Sequence, residues 1–233
     1  MDVRAMFDRV APRYDLLNRL LSARRDLGWR RRVARAVPSE ARFVVDLFAG
    51  TADLALAAAA ARPRAGVIAC DFSLRMLHLA RGKLARRAEG ARVALLCADC
   101  TQLPLPDGVA DAVTGAFGLR YLGDLPAGLQ EMRRVLRPGG LVAQLDFCPS
   151  RRVVLGWFQR LMWQHVIPRV GDALSPARGA YRHFAGTVEG ARSQEEVCAA
   201  MREAGLIEVS YADLSGGICT LFTGRRPAAG GMA

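Results

Sequence analysis

Apolar positions along the chain fall into two alternating rhythms. FVVDLF (43–48), AGVIAC (65–70), ARVALLC (91–97), ADAVTGAF (110–117) and GLVAQLDF (140–147) are short, continuous, apolar or β-branched runs, the pattern of buried strands. Most are separated by about a dozen residues of helical periodicity, and the spacing predicts helices over 51–61, 73–88 and 126–137. RPGG is expected to close the last of these, arginine favouring a helix end and glycine its exit. Strands alternating with helices predict an α/β fold around a mainly parallel sheet. The rhythm breaks over 151–192, which reads as a helical insertion. Beyond it, Ser193 with Glu196 three residues later forms a capping box for a further helix. A strand and an antiparallel partner, GGICTLFTGRR, close the fold, and 228–233 read as a loose tail. The whole chain, 1–233, is expected to be one domain.

Ahead of the first strand, Phe7, Val10, Tyr14, Leu17 and Leu21 recur at three- and four-residue steps, an apolar stripe over two short helices with Pro12 in the first turn of the second. Two readings fit residues 1–40. The stripe packs on the core, or it forms a lid that turns Tyr14, Asp15 and Asn18 toward a ligand.

The net charge of +11 raises nucleic acid as a partner, since basic surfaces attract phosphates. Yet Lys83 is the single lysine, asparagine occurs once and alanine is abundant, so part of the arginine load reflects GC-rich coding. RRDLGWRRRVAR (24–35) reads as a solvated helix face with only Trp29 available for stacking, which argues against a single-strand reader. No apolar run reaches membrane-spanning length, and the amino terminus lacks a secretory core, so the expected address is the cytoplasm. The six cysteines sit mostly in apolar runs, as reduced thiols do. Cys97 and Cys100 have metal-type spacing, but nothing completes four ligands, so no metal is expected.

The turn VVDLFAGTADLAL raises the question of its ligand. In an open parallel sheet, ligands bind beyond the carboxyl ends of the strands. Asp46 ends the first strand, Gly50 allows close backbone approach and Thr51 opens the helix. A dinucleotide would require G-x-G-x-x-G, whereas one glycine is present here and Asp53 would repel a phosphate. Asp71 at the second strand tip suits the two hydroxyls of a ribose, and Asp99 at the third suits the amino edge of an adenine. Three acids at successive tips without a phosphate loop suit a nucleoside bearing a sulfonium, which is S-adenosyl-L-methionine.

MFDRVAPRYDLLNRLLS, DLFAGTADLAL, ACDFSLRML, DCTQLPLPDGVADAVTGAFGLR, EMRRVLRPGG, SQEEVCAAMREAGL and LSGGICTLFTG together resemble the quinone-biosynthesis C-methyltransferases, over almost the whole chain. The resemblance implies a seven-stranded, doubly wound, Rossmann-like sheet, and methyl transfer from S-adenosyl-L-methionine to a ring carbon of a prenylated hydroquinone. The first expectation is demethylmenaquinol to menaquinol. It implies cofactor contacts at Thr51, Asp71, Asp99 and Cys100, with Asp46, Gly50 and Ala116 beside them, and a reacting face at FGLR, where Arg120 is the catalytic candidate. Tyr14, Asn18, Tyr121, Asp146, Tyr181 and His183 are the candidates facing the acceptor. Departures cluster on that side: Tyr121 stands where the family has asparagine, Asp146 and Cys148 replace residues of its LEFS, Ala116 a serine and Cys100 an alanine. Such an acceptor implies peripheral contact with an anionic membrane surface and no nucleic-acid partner. Another phenolic or polyketide acceptor is the alternative enzyme reading, and a nucleic-acid-binding protein the alternative of another class.

Overall fold

A computed structural model describes residues 3–149, 164–165, 186–188 and 190–228. The insertion expected over 151–192, including Tyr181 and His183, lies almost wholly outside them, as do residues 229–233 of the expected tail.

Three helices precede the sheet: α1 (Val3–Val10), α2 (Tyr14–Leu21) and α3 (Arg25–Ala36). Pro12 falls not in α2 but in the single 3-10 turn Ala11–Arg13 that joins it to α1, where its missing N–H costs no helical hydrogen bond. The expected stripe does face inward. Leu17 is fully buried beside Met6, Val10 and Met76, a burial that contributes about 2 kcal/mol. In α3 the solvated face is real for Arg25, Arg31, Arg32 and Arg35, but Trp29, Arg30, Val33 and Ala34 are buried.

The strands β1 (Phe43–Leu47), β2 (Gly66–Asp71), β3 (Val93–Cys97), β4 (Ala110–Ala116), β5 (Leu136–Asp146), β6 (Ile207–Leu214) and β7 (Cys219–Arg225) form one sheet. Their order is β3-β2-β1-β4-β5-β7-β6. The first five run parallel, and β7 pairs antiparallel with both β5 and β6. The crossovers are α4 (Asp53–Ala61), α5 (Leu74–Leu84) and α6 (Leu125–Val135), with α7 (Gln194–Glu203) before β6. Side-chain oxygens of Ser73 and Asp124 cap α5 and α6, and the Ser193–Glu196 capping box opens α7 as expected.

RPGG does not lie in a helix exit. α6 stops at Val135 and β5 begins at Leu136, which pairs with Ala110; the ladder then skips to Leu141 opposite Ala112. Arg137–Gly140 arch out as a bulge, where Pro138 withdraws no ladder hydrogen bond and Gly139 takes a φ of +77°. Apolar side chains cover both faces of the sheet. Trp29, Val33, Leu54 and Ala58 pack on one side, and Leu129, Met132, Met201 and Phe222 on the other.

Candidate active site

The β1–α4 turn is built on the Asp71 carboxylate. Asp71 Oδ2 accepts the Gly50 N–H at 2.8 Å and Oδ1 accepts the Ser73 N–H at 2.9 Å, so one side chain fixes the turns after both β1 and β2. Burial raises its pKa against the pull of those two amides. Phe48 (φ +54°), Gly50 (φ +53°) and Ala52 (φ +66°) all adopt left-handed backbone here, a concentration of strain typical of functional turns. A Cβ added to Gly50 would stand 3.6 Å from Tyr14 Cε1, so the Tyr14 ring lies against the glycine. Asp46 sits one residue before the strand end and is fully buried. Its Oδ1 accepts from Thr114 Oγ1 at 2.8 Å, while Oδ2 makes no hydrogen bond. Burial pushes the Asp46 carboxyl up to about 7.

The amino-terminal helices fasten to this turn through charge. Thr51 Oγ1 donates to Asp15 at 2.5 Å and accepts from Lys83 Nζ at 2.9 Å. Lys83 also pairs with Asp15 at 2.5 Å and Asp53 at 2.8 Å. Arg19 bridges Asp53 and Asp26, and Asp26 binds Arg30 at 2.6 Å. Above the turn, Phe7 makes edge contacts with Tyr14, Phe72 and Tyr121, at centroid distances of 6.3, 6.3 and 5.2 Å. Burial raises the Tyr14 hydroxyl above its ordinary pKa, opposed by the Arg30 field and a hydrogen bond with Asn18. Tyr14, Asn18 and Tyr121 therefore do meet over the Gly50 turn.

Arg120 and Asp146 define the tips of β4 and β5. Their side chains form a buried ion pair, each 4% exposed, and Asp146 also accepts the backbone N–H groups of Arg120 at 3.1 Å and Phe147 at 2.8 Å. Asp124, the acid nearest to Arg120 in sequence, caps α6 instead. Burial alone would lower the Arg120 guanidinium; the Asp146 charge overrides it and keeps the group cationic. The guanidinium lies over the rings of Tyr121 (4.7 Å) and Phe147 (5.4 Å), and Phe147 stacks on Phe117 at 4.7 Å. Gly118 of FGLR is required sterically, since a Cβ there would fall 2.0 Å from Phe48 Cγ.

Other sequence candidates are placed differently. Asp99 is exposed and caps its own turn, accepting from Thr101 N and Oγ1 at 2.8 Å. The Cys100 thiol is buried against Cys70, a contact that, with burial, raises its pKa, so Cys100 can meet a ligand only through its backbone. Cys97, by contrast, is exposed, so the two thiols of this pair do not converge. Ala116 is half-buried at the end of β4. Residue-by-residue reading missed the charge network and the aromatic roof, because their members are distant in sequence. One signal was available: a lone lysine in a chain otherwise given to arginine.

Parallel strand tips, a glycine turn braced by an acid, and an antiparallel β7 set between β5 and β6 define a Rossmann-like class I S-adenosylmethionine-dependent methyltransferase. The model of the ubiE/COQ5 methyltransferase family matches residues 1–226, and the chain belongs to that family. It is 43% identical over 223 residues, 95% of this chain and 100% of the other, to a Thermus thermophilus protein named demethylmenaquinone methyltransferase. It is 42% identical over 226 residues (97% and 94%) to the ubiquinone/menaquinone biosynthesis C-methyltransferase UbiE of Syntrophotalea carbinolica. Among solved structures, a SAM-dependent methyltransferase from Aquifex aeolicus superposes with a TM-score of 0.62 at 19% identity, covering 84% of this chain and 88% of that one.

Proposed function

We propose that this methyltransferase acts on a ring carbon of a reduced, prenylated quinol, converting demethylmenaquinol to menaquinol. The observation that carries the reading is the Arg120–Asp146 pair, set under Tyr121 and reached from the Gly50 turn through Tyr14 and Phe7. Kinship to proteins named for this chemistry supports it.

The residues present fit S-adenosyl-L-methionine. The glycine turn at Gly50, an acid at each of the first two strand ends and the buried Oδ2 of Asp46, which makes no hydrogen bond, suit a ligand with a ribose and a cationic amino-acid end. Asp71 would hold the ribose, Asp46 and the Gly50–Thr51 backbone the amino-acid end, and the Asp99–Cys100 turn the base. The cofactor supplies an electrophilic methyl group when bound.

The chain's own work lies in making the acceptor carbon electron-rich. A quinol does this when a hydroxyl loses its proton and the charge spreads into the ring; an oxidised quinone cannot. Arg120 stays protonated, so it is no base, and its role is to stabilise the phenolate, a contribution of about 3–4 kcal/mol in such sites. Arg120 and Asp146 border a cavity of about 20 Å³, room for roughly one water. Such a water, held by the pair, would carry the hydroxyl proton away. When the ring carbon gains the methyl group it sheds its own proton by the same route and the ring oxygen takes a proton back, so that one proton is released overall.

The acceptor is carried in lipid. Among the described residues no helix is long and apolar enough to cross a membrane, but α2 exposes Leu16 (61%) and Leu20 (53%) beside basic residues. That combination suits shallow, salt-sensitive contact with anionic headgroups.

The test is labelled S-adenosyl-L-methionine with demethylmenaquinol presented in anionic vesicles, the product identified by mass spectrometry. Methylation of the quinol and not of the quinone is expected. Equal turnover of both, or turnover of simple phenols alone, would overturn the reading.

A further inference from the structure

The Lys83 ammonium has three N–H donors, and three oxygens surround it: Thr51 Oγ1 at 2.9 Å, Asp53 Oδ1 at 2.8 Å and Asp15 Oδ2 at 2.5 Å. These come from the cofactor turn, the first turn of α4 and α2. The Thr51 hydroxyl donates its proton to Asp15 and accepts from Lys83, so its only donor is spent within the network. The ammonium gathers all three on one compact charged nitrogen, whereas a guanidinium would spread its donors over a rigid planar fork of three nitrogens. Every other Lys/Arg position in the chain is nonetheless arginine.

We infer that Lys83 is a positioning residue: by gathering Asp15, Thr51 and Asp53 about one ammonium, it makes the seating of α2 over the Gly50 turn and the readiness of that turn for cofactor a single equilibrium. The network is balanced in charge. Lys83, Arg19 and Arg30 face Asp15, Asp53 and Asp26. Burial would raise Asp53, but the fields of Arg30 and Lys83, with hydrogen bonds from Lys83 and Arg19, hold its carboxyl below its ordinary pKa. Without Lys83, Asp15 and Asp53 would repel each other across the Thr51 hydroxyl. Because the two carboxylates lie on α2 and α4, relief comes by moving α2, and with it Tyr14, off Gly50. Asp15 is the more exposed carboxylate, 36% against 13%, so α2 is the side free to yield.

This inference rests on reading the Gly50–Thr51 turn as the cofactor's. The experiment measures the dissociation constant for S-adenosyl-L-methionine by calorimetry, and amide hydrogen exchange over 14–21 without ligand, in wild type, Lys83→Met, Lys83→Arg and Lys83→Met with Asp15→Asn. In Lys83→Met, affinity should fall roughly ten- to a hundredfold, the scale of lost charge-assisted hydrogen bonds. Exchange across α2 should quicken while β4, β5 and β7 keep their protection. Lys83→Arg should remain weakened, and the double variant, freed of its uncompensated carboxylate, should regain most of the affinity. A merely structural lysine would slow or quicken exchange everywhere together and show no recovery with Asp15→Asn. Binding by Lys83→Met within about twofold of wild type would overturn the assignment. Should that variant fail to fold, wild-type affinity in Lys83→Arg would overturn it equally. Wild type failing to bind the cofactor would strike the turn's assignment instead.

Discussion

The two halves of the strand-tip surface solve the same problem, burying polar groups, in opposite ways. Under α2, at the tips of β1 and β2, charge is shared across a balanced network in which Asp26 and Arg30 are buried while Arg19, Lys83, Asp15 and Asp53 keep contact with water, and Asp71 spends its oxygens on backbone amides. At β4 and β5 a single ion pair, Arg120–Asp146, is sealed beneath aromatic rings. A shared network tolerates the loss of one member by rearrangement. A sealed pair does not, because the survivor is a buried, uncompensated charge.

The sharpest way to break the contrast is Arg120→Ala. Stranding Asp146 should lower stability by about 3–5 kcal/mol, read by chemical denaturation, and turnover of the quinol should drop about a hundredfold or more. Arg120→Met combined with Asp146→Asn separates the two effects. Its melting temperature should largely recover and its turnover should not; recovered turnover would mean that the pair only holds the loop. Asp71→Ala comes next. Loss of two amide anchors and of the ribose acceptor should weaken cofactor binding at least about tenfold, with a smaller stability change than Arg120→Ala, as calorimetry and melting would report. A larger stability loss at Asp71 would reverse the comparison.

The remaining effect belongs to Asp46 and depends on pH. Its folded pKa, about 7, lies above the ordinary carboxyl value, so the folded state binds the proton more tightly than the unfolded chain. Stability associated with this group is therefore fully present below the ordinary pKa and declines as pH rises toward 7, by up to about 1.4 kcal/mol per pH unit. It changes little beyond. Asp46→Asn lacks this titration. Its melting temperature should match wild type near pH 4, exceed it increasingly toward pH 7 and keep a constant lead above; parallel curves would show Asp46 ionised throughout.

The parallel strands were legible in the sequence because each reads as an unbroken apolar run; β4 is buried over all but its last residue, whereas the edge strand β3 is apolar yet exposed at Ala94 and Cys97. Asp71 and Gly50 were legible too, since their places follow from strand ends. RPGG was misread because a bulge and a helix exit call for the same residues, proline without a donor and glycine at positive φ. The partner of Arg120 was hidden for another reason. Asp124 is four residues away and Asp146 twenty-six, and only the β4–β5 pairing, a long-range event, decides between them. The Lys83 network was out of reach for the same cause, joining α2, α4 and α5 through side chains alone.

The place of β7 in the sheet has a consequence for how the molecule comes into being. Residues 219–225 are inserted between β5 and β6, although they follow both in the chain and leave the ribosome after them. Until then β5 presents an open edge of unpaired amides and carbonyls, a template for another chain. The parallel half carrying Gly50 and Asp71 can assemble during synthesis, whereas Asp146, near the end of β5 and opposite Thr220, gains its final neighbour only with the closing strand. The Arg120–Asp146 corner is thus completed only when β7 arrives, and the same step closes the open edge of β5.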